Sequence, residues 1–286
     1  LFQRRYCIEE YVSKSATPLV HPDDCQEKYK NISTDHAKCY ITHILCSIGP
    51  SEFAIQPIML PRTIQELVDK HNEYRSAVEA SNMLKIYHDP LLADMAQTHC
   101  NLCSYDYGLA KNRIIPEYGW KNGQIMLLTM NFNESAADLL STLLDGQQQL
   151  FVYGQGCIGF ELFCHEYTLA MLAGVNRIGV GQTDCLFQDA IAKLYCINYI
   201  QAQYTDSYTK PYKQGARCSE CPDNCDRKLM LCDCKDKLCP NGQVLDPSTC
   251  NCILSSRPVT QLQEDISISR MKLLYDVRTL DDLGQQ

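Results

Sequence analysis

The chain has 286 residues, 45% of them hydrophobic, enough to build a real core in one large domain with appendages. Its net charge of −8, with the acids dispersed, excludes the basic surface that nucleic acid demands and gives no reason for docking to anionic lipid. Eighteen cysteines place it outside the cytosol, because thiols at that density persist only where they are oxidised to cross-links.

In chain order, residues 1–62 are a cysteine-containing N-terminal extension of polar, irregular sequence. The chain starts at Leu1, without an initiator Met or an apolar leader, and a removed signal peptide is expected. Asn31-Ile32-Ser33 and, farther on, Asn133-Glu134-Ser135 are glycosylation acceptors, which fits a secreted, extracellular glycoprotein. No run of about 18 apolar residues occurs, so no membrane span is expected.

Residues 63–205 hold the periodic stretches. Thr63-Ile64-Gln65-Glu66 reads as a capping box, followed at helical spacing by Ile64, Leu67, Val68, His71, Tyr74 and Val78, and predicts a helix over 63–79. Asp89-Pro90 opens a second helix with Leu92, Met95, Ala96, His99 and Cys103 on one face. Its Cys100 and Cys103 point about 60° apart and can staple the helix to different partners. Trp120, the single tryptophan, falls in a predicted loop, either anchoring a partner or buried. Ser135 and Asp138 start a third helix carrying Leu139, Leu140, Leu143 and Leu144, ending near Gly146 or running toward Tyr153. Residues 177–185 and 193–200 predict an antiparallel hairpin, with Cys185 and Cys196 tying it or its base. Helices on a small antiparallel sheet make the fold class α+β.

Residues 206–254 are a small unit dense in cysteine: Cys218, Cys221, Cys225, Cys232, Cys234, Cys239, Cys250 and Cys252. The even total over the chain is consistent with full pairing, but spacing leaves the connectivity open. The alternative is zinc on Cys218, Cys221, Cys232 and Cys234. Residues 255–286 form a tail without cysteine, whose Ile266, Ile268, Met271, Leu273, Leu274, Val277 and Leu280 need cover on their own domain or on a neighbour.

Several features have a structural reading beside a chemical one. Cys164-His165 contains the residue types of a nucleophile pair, but adjacent residues form it poorly and an oxidised sulfur cannot serve. His71 and His99 lie on buried helix faces and read as core histidines. Phe151, Tyr153, Tyr167, Tyr195 and Tyr199 line an apolar pocket or fill the core. Gly179 and Gly181 precede no helix and read as close strand packing. No Gly-x-Ser-x-Gly or His-Glu-x-x-His motif occurs, so no catalytic residue is assigned.

His71-Asn72-x-x-Arg75, Asn82-Met83-Leu84, Tyr87-His88-Asp89, Cys103, Gly123-Gln124, Tyr167-Thr168, Ile178-Gly179-Val180-Gly181 and Tyr195-Cys196-x-Asn198-Tyr199, in this order, resemble the CAP superfamily of cysteine-rich secretory, venom allergen-like and pathogenesis-related proteins. The likeness covers about residues 63–205. Pro211-Tyr212-x-x-Gly215-x-x-Cys218-x-x-Cys221 resembles the hinge behind that domain, and the later cysteines a truncated EGF-like module.

The resemblance implies an α/β/α sandwich with a disulfide-rich C-terminal module, and a cavity where two His and two Glu hold a divalent cation. Those four positions fall on Tyr107, Gln124, Gln147 and Glu166, so none is retained, and a phenol and two amides are poor ligands beside one carboxylate. His165 lies one place before an expected ligand. The expectations are therefore no metal, no cofactor and no enzyme, but an interaction or structural component with a protein partner or self-assembly. The alternatives are a carrier of a lipid such as a sterol or fatty acid, a venom-type ion-channel modulator, and a CAP-type protease.

Overall fold

The computed structural model describes residues 53–55, 59–103, 114–115, 120–159, 161–187, 190–200 and 208–254, apart from 236, 238, 240–242 and 247–248 in the last stretch. The elements are β1 (Ala54–Ile55), α1 (Pro61–Ala77), β2 (Tyr87–His88), α2 (Pro90–Cys100), β3 (Ile114–Ile115), β4 (Trp120–Thr129), α3 (Ala136–Gln148), β5 (Phe151–Val152), β6 (Gly156–Cys157), α4 (His165–Ala170), β7 (Arg177–Phe187) and β8 (Ala190–Ile200). Two short ladders follow, β9 (Cys225–Asp226) with β10 (Leu231–Cys232) and β11 (Gln243–Leu245) with β12 (Cys252–Leu254). The N-terminal extension up to residue 52, including Asn31, and the tail from 255 lie outside the described residues.

The predicted hairpin is the centre of the sheet. Its strands β7 and β8 pair antiparallel from Ile178↔Tyr199 to Phe187↔Ala190, and the order is β1-β7-β8-β4-β3, with β2 joining β7 in parallel. From Leu194 to Ile200 every residue of β8 is buried, so both faces of the sheet are covered. Tyr195, Ile197 and Tyr199 join the main core, while Leu194 and Cys196 join a second cluster with Ala96, Cys100, Met126 and Cys185. Helices on both faces make the α/β/α sandwich that the resemblance implied.

Helix α2 lies directly on β7. A Cβ on Gly179 would come within 2.0 Å of the Ala93 nitrogen, and one on Gly181 within 2.4 Å of the Gln97 nitrogen, so only glycine admits the helix backbone. Gln97 then fastens the contact, its Nε2 donating to Gln182 O at 2.8 Å and its Oε1 accepting from Gln182 N at 3.0 Å. The paired glycines serve packing.

Two of the three helix starts predicted from sequence follow their caps. Asp89 Oδ1 accepts from Leu92 N at 3.0 Å, and Ser135 Oγ accepts from Asp138 N at 3.1 Å. Helix α1 instead begins at Pro61, with Leu60 at the cap and no side-chain cap bond. Proline fits the first helical position, and Glu66 pairs with Arg62 at 2.7 Å rather than closing a capping box on Thr63. Helix α2 stops at Cys100, and Cys103 lies beyond it at φ 51°. Trp120 begins β4 rather than sitting in a loop, its backbone paired with Ile115.

Among the described residues the cysteines form seven disulfides: Cys100–Cys196, Cys103–Cys185, Cys157–Cys164, Cys218–Cys225, Cys221–Cys232, Cys234–Cys250 and Cys239–Cys252. Cys185 and Cys196 do not tie their own hairpin. Cys185 faces Ala192 in the register, which leaves Cys196 four residues along the strand, roughly 13 Å away. Each bonds to the α2 end instead, so the two sulfurs of that helix do reach different strands. The four cysteines weighed as a zinc set are all consumed in disulfides.

The cysteine module is docked on the sandwich by backbone hydrogen bonds. Ser81 N donates to Lys213 O at 2.9 Å, Lys85 N to Cys232 O at 2.9 Å, Cys232 N to Met83 O at 2.8 Å and Ala173 N to Pro211 O at 2.7 Å. Tyr212, Leu231 and Cys239 belong to the main hydrophobic core. The stretch that resembles a hinge is thus held along much of its length.

Candidate functional site

The four positions on which the resemblance places the cation ligands divide into three groups. Tyr107 lies outside the described residues. Gln147, near the end of α3, and Glu166, at the start of α4, are brought together: Gln147 Nε2 donates to Glu166 Oε2 at 2.5 Å. Gln147 Oε1 accepts from Tyr167 N at 2.9 Å, so both ends of the amide are engaged. The amide N–H meets the carboxylate, and the amide oxygen is turned to the α4 backbone. This donor set does not fit a divalent cation.

Gln124 sits apart from that pair. It is buried on β4 opposite Asn198 of β8, and neither side-chain amide has a hydrogen-bond partner among the described residues. In the same alternation as Met126, it belongs to the sheet face of the second cluster. His165 does not take over as a shifted ligand. Its ring lies 5.3 Å from the Tyr208 ring, while the neighbouring Glu166 makes the contact with α3. Among the described residues no group of three His, Cys, Asp or Glu is gathered so as to hold a metal ion.

The aromatic residues around this region are packed. Phe151 and Tyr167 rings stand 5.5 Å apart and Tyr153 and Tyr212 5.2 Å apart, with Tyr153 Oη donating to Tyr212 O at 2.6 Å. Tyr167, Tyr195 and Tyr199 are buried core members, and burial pushes the Tyr167 phenol well up. Cys164 is bonded to Cys157, so the nucleophile reading has no thiolate. Outside the packed ring an apolar rim remains, where Leu150, Ile158 and Phe163 are exposed around the loop closed by Cys157–Cys164. Ile158 N donates to Leu150 O at 2.7 Å, which sets two of the three side by side.

Two polar constellations escaped the sequence reading of chemistry. Arg75, fully buried, directs its guanidinium to the carbonyls of Leu84, Ala170, Leu172, Ala173 and Val175 at 2.7–3.1 Å. Its signal was a charge four residues after His71 on the apolar stripe of α1. Beside it, His71 Nδ1 donates to Leu67 O at 2.7 Å and Nε2 accepts from Tyr199. Burial lowers the His71 pKa to about 4, against the hydrogen bond to Leu67 and assisted by the Arg75 charge, so the ring is neutral.

The second constellation is Lys85, whose Nζ meets Asp226 at 2.7 Å and Asp233 at 3.4 Å across the module junction. Tyr87 donates to the same Asp233. The hydrogen bond from Lys85 draws the Asp226 carboxyl below its ordinary range. Burial works to raise Asp233, yet the bonds from Tyr87 and Lys235 and the Lys85 charge outweigh it, and the net shift is downward.

The profile of the cysteine-rich secretory protein family, CAP, matches residues 68–199. Cysteine-rich secretory protein 3 of Equus caballus is 30% identical over 186 residues, which is 64% of this chain and 74% of that protein. The chain belongs to the CAP family. A cysteine-rich venom protein of Conus textile is similar to the CAP chain at 27% identity over 246 residues, 80% of this chain and 72% of the relative. Among solved structures BmVAL-1 is similar in fold, with a TM-score of 0.50 at 17% identity over 63% of the CAP chain and 97% of its own. CAP proteins are generally non-enzymatic and typically bind other proteins or lipids. The secretory and venom relatives, with the many disulfides, fit an extracellular protein. No described helix is long and apolar enough to cross a membrane.

Proposed function

We propose that this CAP protein is a secreted, non-enzymatic component of an extracellular assembly, working through its surface rather than through a bound cation. The observation that carries the reading is the Gln147–Glu166 hydrogen bond, in which a neutral amide meets the carboxylate at the cation position. A carboxylate already bonded to a neutral amide, whose oxygen is itself engaged, is a poor ligand set for the metal that metal-assisted hydrolysis requires.

The same region supports a protein partner. The rim of Leu150, Ile158 and Phe163 is apolar, exposed and closed by a disulfide, so it meets a partner with little entropy left to lose. The sandwich of residues 63–205 and the module of 206–254 act in this reading as one rigid presenting body, with 1–62 and 255–286 as the segments that reach a partner. The tail from 259 to 286 serves self-assembly. Light scattering of the purified chain and of a form lacking residues 259–286 tests this, the full chain forming particles of more copies than the shortened one. An equal number of copies per particle would remove the tail from assembly.

A further inference from the structure

The end of the sheet farthest from the cysteine module presents apolar side chains to solvent. Met130 is 64% exposed and Phe132 is 49% exposed, just after β4, and the cross-strand pair Leu186 and Ile191 is exposed at the tip of the central hairpin. Thr129 pairs with Lys193, three residues after the hairpin's β8 strand begins at Ala190, so Met130 and Phe132 leave β4 at the same end of the sheet as the hairpin tip. An apolar cluster of this kind on an extracellular protein calls for cover.

The turn that carries Phe132 also carries Asn133. It is fixed by its own hydrogen bonds: Glu134 N donates to Asn131 O at 3.1 Å, Asn133 N to Asn131 Oδ1 at 3.1 Å and Asn131 N to Thr129 Oγ1 at 2.9 Å. Asn133 is exposed, and only its backbone nitrogen is used in these bonds. Ser135, the third residue of the acceptor triplet, caps α3. A rigid turn therefore holds a free amide one residue from the exposed ring and three from the exposed methionine.

We propose that Asn133 carries an N-linked glycan whose first sugars lie over Met130 and Phe132 and cover this end of the sheet. A pyranose presents a face of weakly positive C–H groups, which packs on the negative face of an aromatic ring. The ring already attracts positive charge, since Lys193 Nζ stands 4.9 Å from its centroid. The attachment point lies in a hydrogen-bonded turn between the end of β4 and the Ser135 cap of α3, so the sugar is tethered beside the surface it covers, at high local concentration. This inference rests on the secreted reading, because the acceptor triplet is used only on chains that enter the secretory route.

The test is expression of the full chain in glycosylating animal cells, with glycopeptide mass analysis at Asn133 and hydroxyl-radical labelling of the folded protein. A glycan is expected at Asn133. In Asn133→Gln, which leaves the Ser135 cap intact, labelling of Met130 and Phe132 is expected to rise several-fold while that of Phe163 and Ile158 stays the same. Enzymatic trimming of the glycan from the folded protein gives the same comparison if the variant is not secreted. A bare Asn133 in secreted, disulfide-bonded material overturns the inference alone. Unchanged labelling on a glycosylated chain also overturns it, including where a second copy buries the patch once the sugar is gone. Retention inside the cell with free thiols would overturn the secreted reading itself.

Discussion

Between Pro61 and Ile200 the chain buries apolar side chains on two faces of one sheet, whereas among the described residues between Tyr208 and Leu254 the regular structure is two pairs of short strands and a single 3-10 turn. The first region owes its order to area removed from water, with three disulfides added. The second has four disulfides in under fifty residues and lends only a few side chains to the core. Its position is set by backbone hydrogen bonds to residues 81–85 and by Lys85. One region is rigid because it is packed, the other because it is cross-linked and docked.

Arg75 is where the comparison breaks down most severely, because it serves both regions. Its carbonyl partners include Leu84 and Ala173, the residues beside the docked Cys232 and Pro211. Arg75→Met takes the guanidinium from five buried carbonyls, of which Leu172 O and Ala173 O still accept from Val175 N and Leu84 N, and is expected to cost about 5 kcal/mol, unfolding sandwich and module together in a denaturant titration. Separate transitions for the two regions would show that Arg75 does not couple them.

Gly179→Ala sharpens the comparison by loading the sandwich alone. The new methyl must displace the α2 backbone, an overpacking penalty of about 3 kcal/mol. Hydrogen exchange should speed up in α2 and β7 before it does in residues 218–232. Acid does something similar through His71. Its folded pKa near 4 lies below the ordinary 6.5, so the unfolded chain takes up the proton first as pH falls. Stability is then full above pH 6.5 and declines by about 3 kcal/mol down to pH 4, a step that His71→Gln flattens.

The junction responds least. Asp226 and Asp233 have lowered folded pKa values, so their contribution is present above the ordinary carboxylate range and is lost as pH falls through those lowered values. Asp233→Asn is expected to cost less than about 1 kcal/mol, as a partly exposed ion pair should, with faster exchange confined to residues 224–235. A loss as large as that from Gly179→Ala would mean that charge, not the backbone bonds, docks the module.

The packed region was the legible one. Apolar periodicity placed α1, α2 and α3, and Asp89 and Ser135 marked two of their starts, because those residues satisfy helix N–H groups locally. Gly179 and Gly181 were readable as close packing, though not as the seat of α2. The pairing of Cys185 with Cys196 failed because nearness in a hairpin says nothing of register, and sulfurs four residues apart along paired strands cannot meet. The docking of the module was hidden for another reason: it uses backbone donors and acceptors, which every sequence has. At the site, the replaced ligands could be named in advance, but the hydrogen bond that joins Gln147 to Glu166 and the isolation of Gln124 depend on side-chain geometry across elements far apart in sequence.

The most direct test of the account is a calorimetric titration of the purified, disulfide-bonded chain with zinc at neutral pH, followed by metal analysis after gel filtration. With the amide of Gln147 held between Glu166 and the Tyr167 backbone, the protein should take up no stoichiometric zinc. One retained zinc per chain, abolished by Glu166→Gln, would contradict the account and reopen metal-assisted chemistry in the cavity.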